Sequence, residues 1–159
     1  MDLKELLLKD LSSRLFYNPW VQFNLEYGDN GHKDGSYKAH ISSIDPISGW
    51  LEVDYFETET LEKEWSGTIE NVKPYLRPMS SMTEEEREEI EVLIFGEWYN
   101  GGSCKVDHEG WIEILADYDV CGIDPGFCSD YTDWLLSHHF DIRGLIEKGL
   151  ALEAPKGIY

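Results

Sequence analysis

The stretch Trp20-Val-Gln-Phe-Asn-Leu-Glu-Tyr-Gly-Asp-Asn-Gly31 decides the fold class. Val21, Phe23 and Leu25 alternate with Gln22, Asn24 and Glu26, the period of two of a strand with one face in a core and the other in water. Gly28-Asp29-Asn30-Gly31 then supplies residues suited to a turn. The alternation returns downstream. Tyr37 to Ile44 reads as a second strand, closed by Asp45-Pro46-Ile47-Ser48-Gly49. In a third, Trp50, Glu52 and Asp54 alternate with Leu51, Val53 and Tyr55. A fourth includes Glu64 to Thr68, with Ile69 and Val72 following. Short strands joined this closely by turns predict a small curled sheet or an SH3-like barrel.

Upstream, the period is helical. Leu3, Leu6, Leu7, Leu11 and Leu15 share one face, so Met1 to Leu15 reads as an amphipathic helix, and Asn18-Pro19 ends it. Downstream, Pro74 and Pro78 bracket an extended connector, Lys73 to Met79. Thr83 and Glu86 then stand at capping-box spacing ahead of a helix that runs to about Phe95 and stops near Gly96, with Ile90, Leu93 and Ile94 inward. Trp111 to Leu115 reads as a strand. Ser129-Asp130 offers an N-cap before Tyr131, Trp134, Leu135 and His138. Asp141 offers another before Ile142, Leu145 and Ile146, with Gly149 as the stop. The expected architecture is α+β. An N-terminal helix and a small SH3-like β-barrel occupy residues 1–76, and an acidic, mainly helical C-terminal part occupies 77–159, with Trp134, Leu145, Ile146 and Leu150 in its core.

Charge bounds the function. The chain of 159 residues carries 32 Asp and Glu against 13 Lys and Arg, a formal net charge of −19. Such a surface repels phosphate backbones and anionic lipid, so direct nucleic-acid and membrane partners are not expected. Residues 84–141 alone hold 16 acidic and 2 basic side chains. No run approaches the roughly 18 apolar residues of a membrane span, and the N-terminal stretch lacks a signal-peptide pattern, which points to the cytoplasm. Three cysteines at open spacing fit a reducing compartment better than a disulfide framework.

Three blocks carry a family resemblance. They are Met1-Asp-Leu-Lys-Glu-Leu-Leu-Leu-Lys-Asp-Leu11, Val72-Lys-Pro-Tyr-Leu-Arg-Pro-Met-Ser-Ser-Met-Thr-Glu-Glu-Glu86, and His138-His-Phe-Asp-Ile-Arg-Gly-Leu-Ile-Glu-Lys-Gly-Leu-Ala-Leu-Glu-Ala-Pro155. They resemble a family of short uncharacterised proteins of gut Bacteroides-type bacteria and their prophages or mobile elements. The resemblance implies a bacterial, cytoplasmic protein and carries no activity, cofactor or site residue with it.

No catalytic constellation emerges from the residues. Asp117, Asp119 and Gly122 match positions one, three and six of an EF-hand loop, but Cys121 and Cys128 stand where positions five and twelve need oxygen ligands. Cys104, His108, Cys121, Cys128, His138 and His139 are zinc-type ligands without the close pairing that structural sites use. Cys121 or Cys128 with His139 lies among acidic neighbours, which disfavour a thiolate. There is no phosphate-binding glycine loop. Neither a metal nor a cofactor is therefore assigned. Two surfaces invite a binding reading. Trp50, Tyr55, Phe56 and Trp65, with Glu52 and Asp54, have the chemistry of an aromatic cage for a cationic ligand. Glu84, Glu85, Glu88 and Glu91 form an acidic helix face that could mimic phosphates. The leading expectation is a non-enzymatic protein that binds a basic protein or peptide. The alternatives are an acidic nucleic-acid mimic that inhibits a host nucleic-acid-binding enzyme, and a metal-dependent or Cys/His hydrolase built on residues 104–139.

Overall fold

The computed structural model describes residues 2–25, 35–95, 103–106, 112–115 and 125–159. The turn expected at Gly28–Gly31, the acidic loop Asp117–Asp124, Trp111, Gly96, His108 and Cys121 lie outside these residues. The chain divides into two compact units, Met1–Leu76 with Arg143–Tyr159, and Arg77–Ile142. Residues 143–159 thus cluster with the N-terminal residues, where the sequence reading places them in the acidic C-terminal part.

In the first unit, helix α1 (Leu3–Arg14) starts at Asp2. The Asp2 Oδ1 accepts from the Glu5 N–H at 2.7 Å, and the Glu5 carboxylate accepts from the Asp2 N–H at 3.1 Å. This reciprocal pair satisfies donors the helix start leaves open. A short 3-10 turn, Leu15–Tyr17, ends on Asn18 in the left-handed region, φ 52°. Leu7 and Leu11 are buried, with Leu6, Leu8 and Leu15 packed beside them, while Leu3 is 55% exposed.

The strands are β1 (Trp20–Leu25), β2 (Gly35–Ile44), β3 (Trp50–Thr58), β4 (Leu61–Thr68), β5 (Val72–Leu76), β6 (Ser103–Val106), β7 (Ile112–Leu115) and β8 (Leu152–Glu153). Six form one sheet in the order β4-β3-β2-β1-β5-β8. Neighbours are antiparallel except β5 and β8, which run parallel through Tyr75↔Leu152 and Leu76↔Glu153. The fold is therefore α+β, as expected, but the SH3-like barrel is corrected: the sheet is open. Closure requires the strand beyond β1 to return to β4, and here β5 instead takes β8 on its outer side. The segment read as a connector is largely β5, with Pro74 opposite Val21.

One face of the sheet carries the core. Val21, Phe23, Ala39, Ile41, Leu51, Val53, Tyr55 and Val72 are buried and pack with α1. The Phe23 ring lies 5.0 Å from Tyr55, edge-on, and 5.0 Å from Trp65, stacked. The helix expected after Asp141 is not formed. Residues 141–149 run as turns, with Gly144 and Gly149 at φ 63° and 71°, so Gly149 still occupies a reversal. Leu145 is fully buried in this first core, with Ile146 and Leu150 beside it, rather than in a core with Trp134.

Two polar features hold the returning segment. Asp10 and Arg14, one helical turn apart, are both fully buried; Arg14 Nε donates to Asp10 Oδ2 at 2.7 Å, and its Nη2 to Oδ1 at 3.2 Å. Arg143 Nη1 donates to the same Oδ1 at 2.8 Å. At the other end, the Tyr159 hydroxyl donates to the Tyr75 carbonyl at 2.7 Å and accepts from the Trp20 N–H at 3.3 Å. The residue is 43% exposed overall, yet its hydroxyl end is drawn in, and burial pushes the phenol up to about 12.

The second unit contains α2 (Glu84–Phe95), the β6–β7 hairpin paired from Ser103↔Leu115 to Val106↔Ile112, and α3 (Pro125–Ser137). The expected mainly helical part thus holds a hairpin as well as two helices. Its core joins Met82, Ile90, Trp134, Leu135 and Phe140. The expected capping box is present. Thr83 Oγ1 accepts from the Glu86 N–H at 3.2 Å, and Glu86 Oε2 accepts from the Thr83 N–H at 2.9 Å. Glu86 also receives two hydrogen bonds from Arg77, at 2.6 and 2.8 Å, and that guanidinium stands 4.3 Å over the Phe140 ring.

Candidate functional site

Strand parity sorts the expected cage residues onto opposite faces. Leu51, Val53 and Tyr55 of β3 point into the core, so Trp50, Glu52, Asp54 and Phe56 point outward. Residues directly opposite in a sheet share a face. Val53 pairs with Trp65 and Tyr55 with Lys63, placing Trp65 on the core side, while Glu52 pairs with Ser66, Asp54 with Glu64 and Phe56 with Glu62. Tyr55 is 1% exposed and Trp65 is half-buried against Phe23. The six residues, Phe56 included, therefore do not form one cage. Trp50, Glu52 and Asp54 are brought together; Tyr55 and Trp65 belong to the core.

The outward face has a composition of its own. Trp50 and Phe56 are 49% and 59% exposed at the two ends of the β3 row. Between and beside them stand Glu52, Asp54, Glu62 and Glu64. Glu52 accepts from Ser43 Oγ at 2.8 Å, at a bulge in the β2–β3 pairing. No salt-bridge cation reaches Asp54, Glu62 or Glu64 among the described residues. Lys63 pairs with Glu57 at 2.8 Å, and the Lys38 ammonium stands 5.4 Å over the Tyr75 ring. Asp54 and Glu64 are direct cross-strand partners, a like-charge arrangement that weakens the sheet. Two shallow depressions, of about 330 and 470 Å³, lie over these carboxylates.

His40 borders the face, opposite Asp54 across β2–β3. Its Nδ1 is 3.1 Å from the Asn18 carbonyl, and the Trp20 ring lies 3.5 Å away. Desolvation lowers its pKa below the usual 6.5, and the Asn18 bond and Asp54 only partly oppose this, so burial disfavours the charged imidazole beside Asp54. Sequence reasoning groups Phe56 with Trp50 but includes neither Glu62 nor His40. The even spacing of Phe56 from Trp50 is the signal that puts it on the outward face and separates it from its neighbour Tyr55.

The acidic helix face keeps Glu84, Glu85 and Glu88 exposed, whereas Glu91 is half-buried and engaged. Glu84 pairs with Arg87. His138 is stacked on Trp134 at 3.8 Å, and its Nδ1 lies 2.9 Å from the Trp134 carbonyl; His139 is 6% exposed with φ 61°. Of Cys104 and Cys128 the backbone alone is described, in β6 and α3. Among the described residues no three His, Cys, Asp or Glu side chains are grouped to hold a metal ion, and no helix is long and apolar enough to cross a membrane. No family model, curated protein or solved structure matches the chain.

Proposed function

We propose that this chain is a non-enzymatic interaction protein that receives a basic segment of another protein on the outward face of β3 and β4. The observation that carries the reading is the Asp54–Glu64 pair: two carboxylates held directly opposite each other, with no cation on them among the described residues. A Lys or Arg from a partner relieves that repulsion and gains both charges at once. Exposed Trp50 and Phe56 at the two ends of the row offer ring faces to other cations or aliphatic stems along the same segment. The net charge of −19 favours encounter with a cationic partner over long range. We place the protein in the cytoplasm, and the family resemblance of its three blocks fits an accessory role in a bacterial mobile element.

The test uses a lysine- and arginine-rich peptide, with binding followed by fluorescence anisotropy. Affinity is expected to fall about tenfold or more from roughly 0.1 to 1 M salt, as the screening length shrinks from about 10 to about 3 Å. Asp54→Asn with Glu64→Gln is expected to weaken binding by a similar factor. Affinity that ignores both salt and the double substitution removes the proposal. Competition by duplex DNA for a nucleic-acid-binding target of this chain separates phosphate mimicry from simple basic-peptide docking.

A further inference from the structure

The face described above ends at a strand edge. β4 pairs with β3 on one side, and among the described residues no strand lies on its other side. A row of backbone N–H and C=O groups at such an edge is a template for another strand. The edge runs the length of Leu61–Thr68, the eight residues of β4. Natural sheets guard long edges against self-association, and the charges here do so selectively. A second copy of this chain laid along β4 brings Glu62 and Glu64 against the same residues of its twin, which like-charge repulsion disfavours. A strand with Lys or Arg at alternate positions meets the same edge with opposite sign. Its intervening residues fall on the other face, beside half-buried Trp65, whose ring offers an apolar contact in a groove also lined by Gln22, Asn24, Asn71 and Lys73.

We infer that β4 is a docking edge for an extended segment in which basic and apolar residues alternate, added as a seventh strand to the six-stranded sheet. The inference rests on the proposed function and specifies its geometry: backbone hydrogen bonds supply register, Glu62 and Glu64 select basic residues on the outward face, and Trp65 receives apolar ones on the inner face. The combination excludes compact basic proteins that present no free strand.

The experiment uses a synthetic peptide of alternating lysine and valine, and leaves the protein unaltered so that folding is not in question. Two backbone-methylated versions carry N-methyl groups on one or the other alternate set of nitrogens. In strand addition only one set faces the β4 edge, so methylating that set is expected to weaken binding about tenfold or more, while methylating the other set changes affinity less than about threefold. A peptide of the same composition with its lysines contiguous is expected to bind about tenfold more weakly than the alternating one. Equal affinity of all four peptides, with salt dependence kept, overturns strand addition and leaves the acidic-face reading standing. No binding by any of them overturns both.

Discussion

Replacing Asp10 by alanine probes the contact that ties α1 to the returning C-terminal segment. The carboxylate accepts three hydrogen bonds, two from Arg14 and one from Arg143, at 2.7, 3.2 and 2.8 Å. Hydrogen bonds to charged groups contribute about 1.5–3 kcal/mol each, which sets an upper bound on the loss. The actual cost is smaller, because the Arg143 side chain is 18% exposed and turns toward water. Arg14 has no such exit: its side chain is 0% exposed, so the substitution leaves a buried guanidinium without this carboxylate. Breaking a buried pair in this way costs about 3–5 kcal/mol. At a urea dependence of about 2 kcal/mol per molar, the unfolding midpoint drops by about 2 M. The assay follows the amide signals of Leu51 and Val53, which lie in the first core and report on that unit alone. A loss below about 1 kcal/mol refutes the reasoning. The double substitution Asp10→Leu with Arg14→Met completes the test. It removes both charges and keeps apolar volume, so stability is expected within about 1 kcal/mol of the parent or above it.

Two further outcomes are expected. A methyl group at Gly67 falls within 2.5 Å of Trp65 Cζ2, so Gly67→Ala pushes a rigid indole off its stack with Phe23. The expected cost is about 1–3 kcal/mol in a thermal melt, and an unchanged melting point shows that the ring has room to move. In the second unit, hydrogen bonds from Arg77 are the largest influence on Glu86 and hold its carboxyl below the usual 4.5, against the opposing effect of burial. A depressed folded value means the stabilisation is complete above 4.5 and is lost as pH falls through that lower value. Glu86→Gln is therefore expected to flatten the acid limb of the second unit's stability curve, and an unaltered limb removes Glu86 as its source.

Much of the sheet was legible because β1, β2 and β3 each bury one parity of residues, and Val21, Phe23, Leu51 and Val53 declare that parity without outside help. The start of α2 was legible for a local reason as well, since Thr83 and Glu86 satisfy each other across one turn. What escaped the sequence depends on partners far along the chain. Asp10 and Arg14, spaced one turn apart, have the pattern of an ordinary solvent-facing ion pair; Arg143 and the packed segment behind it help make their burial tolerable. Pro74 reads as a connector residue until β1 and β8 are known to flank its strand. The beginning of β4 at Leu61 follows directly on Glu57-Thr-Glu-Thr60, whose turn-like polarity hides it, and so Glu62 does not stand out beside Glu64. The expected cage failed for a different reason. Tyr55 and Trp65 were grouped with Trp50 by ring chemistry, while a strand distributes side chains by odd and even position.

The parallel pairing of Tyr75 with Leu152 also bears on how the chain is made. A ribosome working at about 5–20 residues per second needs several seconds to travel from one to the other. Throughout that interval the nascent polypeptide carries β5 with its outer rim unclothed, and Asp10 waits for Arg143. The six-stranded sheet and the Asp10 cluster are accordingly completed only once residues 143–153 have been made.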